Sequence, residues 1–172
     1  MKKIVVIGPE STGKSTLCKE LAAHYNTSWV PEYAREFLLN QGTAYTYDDL
    51  LVIAQRQVKM EEEYSQKEIN LLFIDTDMHV MKVWCEFVFG KCHQWILDQV
   101  AIREYDLYLL CNTDLPWVKD DLREYPDLES RLLLFHMYKD LMINQHVPWK
   151  EIKGTSTDRF TSAVNTVQDL FK

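Results

Sequence analysis

The chain has 172 residues, a formal net charge of −7 at pH 7 and a hydrophobic fraction of 47%. This length is typical of one domain that buries a core without disulfide or metal staples, so we expect a single domain over residues 1–172. The negative charge argues against nucleic-acid binding as the main task and favours a small-molecule substrate.

Cysteine spacing and hydropathy argue against a metal-cluster protein, a secreted protein and a membrane protein. No two of the four cysteines are spaced as Cys-x-x-Cys, so we expect reduced thiols and no metal cluster. The residues before Gly8 include too few apolar side chains for a signal peptide, and no later run is long enough to span a bilayer. We therefore expect a cytoplasmic protein with no membrane partner, and homo-oligomer formation stays open.

The N-terminal stretch predicts a phosphate-binding loop. Ile4–Ile7 reads as a buried strand, and apolar positions after the loop recur at helical spacing. Between them, Gly8, Gly13, Lys14 and Ser15 fit the pattern G-x-x-x-x-G-K-[ST]. Inward N–H groups and the helix N-terminus would bind a polyphosphate, Lys14 would reach the β- and γ-phosphates, and Ser15 would contact Mg²⁺.

The second predicted strand, residues 27–30, leads through Pro31 into a charged helix start. Glu32 and Arg35 lie at this junction, with Tyr33 on the apolar side of the helix. Because the carboxyl ends of parallel strands face the ligand, Glu32 is a candidate active-site residue. The alternative is a helix-N-terminal carboxylate beside a surface arginine.

The next segment predicts a long helix over residues 46–67, followed by a buried strand over 69–74. Gln55 lies in the middle of this helix, and the run 61–63 of three glutamates reads as a solvated face. The strand ends in Asp75 and, two residues later, Asp77. One aspartate would hold Mg²⁺ beside the phosphate loop, and a helix N-cap is the alternative for the other.

The second half of the chain continues the alternation of helix and strand. We predict two helices over 78–104 broken near Gly90, a strand over 105–111, a helix over 127–146, a strand over 149–152 and a last helix capped by Asp158. Arg123 and Arg131 bracket a charged segment that could close over a polyphosphate; exposed surface arginines are the alternative. No N-K-x-D motif follows the strand at 105–111, which disfavours guanine.

Five strands alternating with helices predict an α/β fold, a five-stranded parallel sheet with helices on both faces and the phosphate loop at its centre. Two classes of function remain. The first is a kinase that transfers a phosphoryl group to a small acceptor, and the second is an ATPase switch that regulates a partner. The short chain and the lid-like segment favour the kinase.

The ordered motifs resemble the ribosylnicotinamide kinase domain of the NadR family. They are GPESTGKST, PEYAREF, FIDTD, KVWCEFVFG, TDLPWVKDDLRE and GTSTDRF. The resemblance implies a P-loop nucleoside/nucleotide kinase-like fold with a helical lid, ATP and Mg²⁺ as cofactors, and nicotinamide riboside as the nucleoside acceptor in NAD salvage. The chain is too short for the adenylyltransferase domain that often accompanies this kinase, so we expect no NAD synthesis from the mononucleotide.

The resemblance also assigns site residues by position. The phosphate cradle would comprise Gly8, Pro9, Glu10, Ser11, Thr12, Gly13, Lys14, Ser15 and Thr16. The magnesium and acceptor carboxylates would be Asp75 and Asp77, the lid arginines would be Arg123 and Arg131, and the adenine loop would include Thr155, Ser156 and Asp158. The acceptor side would include Glu32, Tyr33, Arg35, Gln55, Lys82 and Trp84.

The choice of general base follows from charge. A carboxylate that holds Mg²⁺ is kept ionised and makes a weak base, so we assign Asp75 and Ser15 to the metal and Glu32 to the acceptor hydroxyl, with Asp77 as the next candidate. A deoxynucleoside or nucleotide kinase is the alternative acceptor class.

Overall fold

The computed structural model describes residues 1–67 and 69–172, which form one parallel sheet of five strands and seven helices. The strands are β1 (Lys2–Ile7), β2 (Ser28–Val30), β3 (Leu71–Asp75), β4 (Leu107–Cys111) and β5 (Trp149–Ile152). The helices are α1 (Lys14–His24), α2 (Tyr33–Gln41), α3 (Tyr47–Ser65), α4 (Met78–Phe89), α5 (Gln94–Ile102), α6 (Leu128–Ile143) and α7 (Ser156–Asp169). The strand order β2-β3-β1-β4-β5 confirms the predicted fold, with β1 at the centre.

Helices cover both faces of the sheet, because successive side chains of a strand point to opposite sides. Ile4 and Val6 of β1 pack with α1 and α7 on one face. Val5 and Ile7 pack with α3, α4 and α6 on the other. Within the described ranges, no helix combines the length and the apolar character that crossing a bilayer requires.

A third apolar cluster lies beside the sheet and joins α2, α3, α4 and α5. Leu50 and Ile53 of α3 pack with Met81 of α4 and Ile96 of α5 in this cluster. The predicted break between α4 and α5 is present: Gly90 follows α4 with φ of 66°, a left-handed conformation that commonly ends helices. Of these four helices, α3 also packs against β2.

One predicted helix cap is corrected by the structure. Thr155, not Asp158, is the N-cap of α7, and its hydroxyl accepts a hydrogen bond from the Asp158 backbone N–H. The Asp158 carboxylate accepts one in return from the Thr155 backbone N–H at 2.9 Å. Asp158 therefore lies at the third helical position of a capping box, where a carboxylate also favours the positive end of the helix dipole.

The predicted solvated face of α3 is wrong at Glu61, which is only 3% exposed. Its carboxylate contacts the Lys3 ammonium at 2.8 Å and the Arg103 guanidinium at 3.2 Å, and it accepts a hydrogen bond from the Tyr105 hydroxyl at 2.9 Å. Glu63, two residues further along the same run of three glutamates, is exposed, so the sequence pattern does not distinguish the buried glutamate from the exposed one. Glu61 thus ties α3 to β1 and to the segment before β4.

Replacing Glu61 by Ala should lower the free energy of unfolding by roughly 3–5 kcal/mol, because the largely buried Lys3 ammonium loses its partner and the Arg103 guanidinium keeps only the exposed Glu62 carboxylate as an ion-pair partner. The corresponding fall in Tm is about 10 °C for a domain of this size. Glu63→Ala is the matched control and should change Tm by under about 3 °C, since an exposed ion pair contributes little. Equal shifts for the two variants in thermal denaturation would contradict the assignment.

Candidate active site

The loop between β1 and α1 has the backbone conformation of a phosphate cradle. Gly8, Ser11 and Gly13 have φ of 141°, 57° and 78°, so the chain curls back on itself. A side chain at Gly8 would place its Cβ 2.6 Å from the Cys111 carbonyl oxygen of β4. Glycine is therefore required where the loop passes over the end of the neighbouring strand.

Two side chains of the loop form hydrogen bonds to a carbonyl group of the same loop. The Thr12 hydroxyl and the Lys14 ammonium both donate hydrogen bonds to the Pro9 carbonyl, at 2.7 and 2.8 Å. Gly13 caps α1 without any side-chain hydrogen bond, so the first N–H groups of α1 lack a side-chain cap. These N–H groups and Lys14 form a site suited to a polyphosphate.

Asp75 lies at the end of β3, fully buried beside the phosphate loop. Neither carboxylate oxygen has a hydrogen-bond partner in residues 1–67 and 69–172. Burial and the neighbouring Glu32 carboxylate raise the pKa of Asp75 to about 7, opposed by the Lys14 ammonium and the Ser15 hydroxyl. A cation bound next to this carboxylate would reverse that effect.

The residues at this point fit a bound magnesium ion. Mg²⁺ prefers oxygen ligands, and P-loop enzymes hold it with one hydroxyl, an acidic strand end and the phosphates themselves. Ser15 supplies the hydroxyl and lines the cleft. Asp75 is a buried carboxylate with no partner among the described residues, which is the feature that a cation would satisfy.

Asp77 is the N-cap of α4. The helix cap that the sequence analysis gives as the alternative role for one of the two aspartates therefore applies to Asp77. Its carboxylate accepts hydrogen bonds from the backbone N–H groups of His79 and Val80, at 3.0 and 3.3 Å. It also contacts the His79 ring at 2.7 Å and accepts a hydrogen bond from the Tyr108 hydroxyl at 2.8 Å. Asp77 does not line the cleft, because these bonds hold it at the start of α4.

One continuous cleft of about 230 Å³ joins the phosphate loop to the acceptor side. Its lining includes Glu32, Arg35 and Trp84 from the predicted acceptor residues. The Glu32 carboxylate accepts a hydrogen bond from Thr76 at 3.3 Å and makes no capping bond to α2. Arg35 is half exposed and forms an ion pair with Asp120 at 2.8 Å.

Three predicted acceptor residues lie outside this cleft. Gln55 is exposed on α3. The buried face of this helix contains Ala54 and Gln57, and Gln55 points away from that face. Lys82 forms an ion pair with Glu86 one turn along α4 at 2.8 Å. Tyr33 packs into the core. The remaining wall is built from residues not assigned in advance, namely Ala34, Leu38, Val80, Phe87, Leu122, Glu124, Tyr125, Leu134 and Tyr138.

The predicted lid is an irregular segment between Asn112 and Asp127, with helical structure resuming in α6. Side chains of the phosphate loop form hydrogen bonds to the backbone of this segment. The Glu10 carboxylate accepts hydrogen bonds from the backbone N–H groups of Glu124 and Tyr125, at 3.1 and 2.6 Å. The Ser11 hydroxyl accepts one from Val118 at 2.9 Å.

The two predicted lid arginines have different positions. Arg123 lines the cleft and donates a hydrogen bond to the Val118 carbonyl. Arg131 is buried in α6 and does not line the cleft; it donates to the Thr113 and Leu115 carbonyls at 3.3 and 3.2 Å. Arg123 can therefore approach a phosphoryl group, whereas Arg131 holds the start of the lid.

The predicted adenine loop is exposed at the start of α7 and does not line the cleft, and this holds for Thr155, Ser156 and Asp158. The sequence reasoning missed the next residue, Arg159, which is only 4% exposed. Its guanidinium donates to the Thr12, Asn112 and Gly154 carbonyls at 3.0, 2.9 and 2.9 Å.

Arg159 also pairs with the Asp114 carboxylate, so its side chain contacts three separate segments of the chain. The signal was present in the GTSTDRF motif, but a helical arginine usually points to solvent. Arg159 thus joins the phosphate loop to the two loops that follow β4 and β5.

A parallel sheet of this order, a phosphate loop after its central strand and a carboxylate at the end of the adjacent strand define a P-loop domain of the nucleoside kinase-like type. The family model described as AAA domain matches residues 3–159. The chain belongs to this AAA domain family.

Known proteins resemble the chain over almost its whole length. It is 25% identical to the trifunctional NAD biosynthesis/regulator protein NadR of Salmonella typhimurium, a distant homologue, over 99% of this chain and 43% of the relative. The chain therefore spans less than half the length of the curated relatives it matches.

Solved structures confirm the fold. A NadR protein in complex with NR superposes with a TM-score of 0.78 at 22% identity, covering 98% of this chain and 51% of the other. Deoxyadenosine kinase from M. mycoides, with dCMP and dCDP bound, has a TM-score of 0.67 at 12% identity, covering 97% of this chain and 99% of the kinase.

Replacing Arg159 by Met should lower the free energy of unfolding by roughly 3 kcal/mol, because three carbonyl groups and Asp114 lose a charged donor. The expected fall in Tm is about 6–12 °C. ATP affinity should also fall, since Thr12 belongs to the phosphate loop. Arg56→Met, at an exposed ion pair, is the control and should leave both quantities nearly unchanged. Unaltered Tm in Arg159→Met would contradict its anchoring role.

Proposed function

We propose that this domain transfers the γ-phosphoryl group of ATP to the 5′-hydroxyl of nicotinamide riboside and forms nicotinamide mononucleotide, as a step of NAD salvage. The observation that carries the proposal is the single cleft in which the phosphate loop and the Glu32 carboxylate face the same space. A polyphosphate on the loop and a hydroxyl beside Glu32 would therefore meet within this cleft.

The chain's own residues divide the task between binding and charge neutralisation. The curled backbone of the loop and Lys14 would hold the ATP phosphates, while Ser15 and Asp75 would hold Mg²⁺. When bound, Mg²⁺ neutralises charge on the β- and γ-phosphate oxygens. Arg123 faces the same cleft and would stabilise charge on the transferred group.

Glu32 is the proposed general base, and two observations favour it over Asp77. Glu32 lines the cleft and makes no capping bond, so its carboxylate is available to an acceptor hydroxyl. Asp77 is occupied by four contacts at the start of α4. A base must come within hydrogen-bond distance of the proton that it removes, and Glu32 meets this condition more directly.

The acceptor side is better suited to a nucleoside than to a nucleotide. Trp84, Phe87 and Tyr125 offer aromatic surface to a base. A phosphate on the acceptor would need a cation, yet the Arg35 guanidinium is paired with Asp120. The relatives also favour a nucleoside acceptor, because one solved structure holds NR and the curated relatives act in NAD biosynthesis.

A second candidate function is a deoxynucleoside kinase, favoured by the structural likeness to deoxyadenosine kinase over nearly the whole of both chains. A third is an ATPase switch without a small-molecule acceptor. The deoxynucleoside kinase would differ from the first proposal in the acceptor that it prefers, and the ATPase switch would need no acceptor, so one set of assays separates all three.

Incubated with ATP, Mg²⁺ and nicotinamide riboside, the protein should form the mononucleotide and ADP in equal amounts. Lys14→Ala is the control and should lose most turnover while keeping its Tm, because Lys14 serves the ligand and not the core. ADP formation that needs no acceptor would support the ATPase switch. A higher kcat/KM for thymidine or deoxycytidine would support the deoxynucleoside kinase, since this ratio reports transition-state binding.

Glu32→Gln should lower kcat by about a hundredfold at every magnesium concentration and spare ATP binding, because it removes only the base.

Asp75→Asn should instead raise the magnesium concentration needed for half-maximal rate. It should fold at least as stably as the wild type without ligands, because it removes a buried carboxylate without a partner in the described residues. If Asp75→Asn behaves as a pure kcat defect and Glu32→Gln is silent, the two roles are exchanged.

A further inference from the structure

Gln57 lies on the face of α3 that packs against the ends of β2 and β3, and it is only 2% exposed. Its side-chain oxygen accepts a hydrogen bond from the Tyr33 backbone N–H at 2.8 Å. Its side-chain nitrogen donates to the backbone carbonyls of Pro31 and Asp75, both at 3.3 Å. Both amide donors are thus used, and all three partners are backbone groups.

These partners allow one orientation of the Gln57 amide. Turning it over would place the NH₂ group against the Tyr33 N–H and the oxygen against the two carbonyls, leaving every contact repulsive. A buried amide with three satisfied bonds is rigid, because any rotation exposes unpaired polar groups to a dry environment. Gln57 therefore fixes the distance between the segments that it contacts.

The segments joined by Gln57 carry the two carboxylates of the site. Pro31 and Tyr33 flank Glu32 on either side, and the third bond ends on the backbone of Asp75. The ladder between β2 and β3 stops at the pair Val30 and Ile74, so Glu32 lies beyond the last paired residues of the sheet. Backbone pairing alone leaves its position less constrained.

Gln57 also satisfies a backbone group at the start of α2. Tyr33 is the first residue of α2, and its N–H is one of the groups that a helix start leaves without a partner. Gln57 satisfies that N–H from another helix. Glu32 occupies the N-cap position but makes no capping bond, and its side chain is directed to Thr76 and the cleft.

We propose that Gln57 is a positioning residue, which holds Glu32 at the correct place relative to Asp75 for deprotonation of the acceptor hydroxyl. This inference rests on the proposed function. Gln57 itself does not line the cleft and would touch neither ATP nor the acceptor. Its contribution to rate passes through Glu32, since a displacement of about 1 Å in a catalytic group costs up to roughly a hundredfold.

The test is a double-mutant cycle between Gln57→Met and Glu32→Gln, measured with the nucleoside that the wild type phosphorylates best. Met conserves the length of the side chain and removes all three hydrogen bonds. Gln57→Met alone should lower kcat roughly 10- to 100-fold. In the Glu32→Gln background it should lower kcat by less than about twofold, because the group through which it acts is already absent.

Further measurements separate positioning from general loss of structure. The Kd for ATP should stay within about twofold of the wild type, since the phosphate loop is untouched. Gln168→Met makes the same substitution at an exposed position of α7 and should leave kcat and Tm unchanged. If Gln57→Met does not fold, Gln57→Asn replaces it in the cycle, because it keeps a neutral amide at the site but is one methylene too short to make all three hydrogen bonds.

Each outcome decides the inference. A loss of kcat that is equally large in the wild-type and in the Glu32→Gln background overturns it, and so does a Gln57→Met enzyme with unchanged kcat. Loss of ATP affinity in parallel with kcat would also overturn it, because Gln57 would then support the whole fold. A wild-type protein that transfers phosphate to no nucleoside fails earlier and overturns the proposed function together with this inference.

Discussion

The pairing of β1 with β3 at the centre of the sheet is the constraint on which the site depends. In a parallel sheet all strands end at the same edge, so the loop after β1 and the carboxylate at the end of β3 must be neighbours. The pairing of β1 with β4 then restricts the loop itself, because Gly8 passes against the Cys111 carbonyl. The positions of the phosphate loop and of the carboxylate proposed to hold a metal are thus both consequences of strand order.

Placing these groups together has an electrostatic cost. Asp75 is buried without a hydrogen-bond partner in the described residues, and the neighbouring Glu32 carboxylate adds to burial in raising the pKa of Asp75. A core built only for stability would exclude such an arrangement. The cost is consistent with a site that binds cations, where a metal ion and the Lys14 ammonium would stabilise the charge.

Stability elsewhere comes from buried polar groups that connect distant segments. Arg159 joins the phosphate loop to the loops after β4 and β5, and Glu61 joins α3 to β1. Gln57 does the same between β2 and β3. In each case a side chain satisfies groups from at least two chain segments, so its effect extends beyond its own helix. The lid is held similarly, by Glu10 and Ser11 of the phosphate loop.

The sequence by itself determined the order of strands and helices, the phosphate loop and the acidic strand end, because these depend on local periodicity and on residues close together in the chain. Only the tertiary structure decided which of several similar side chains enter the site. Gln57 faces the strand ends while Gln55 faces solvent, and Arg123 lines the cleft while Arg131 is buried away from it. Such choices depend on the rotation of a helix about its axis and on partners from remote segments, which a single sequence does not reveal.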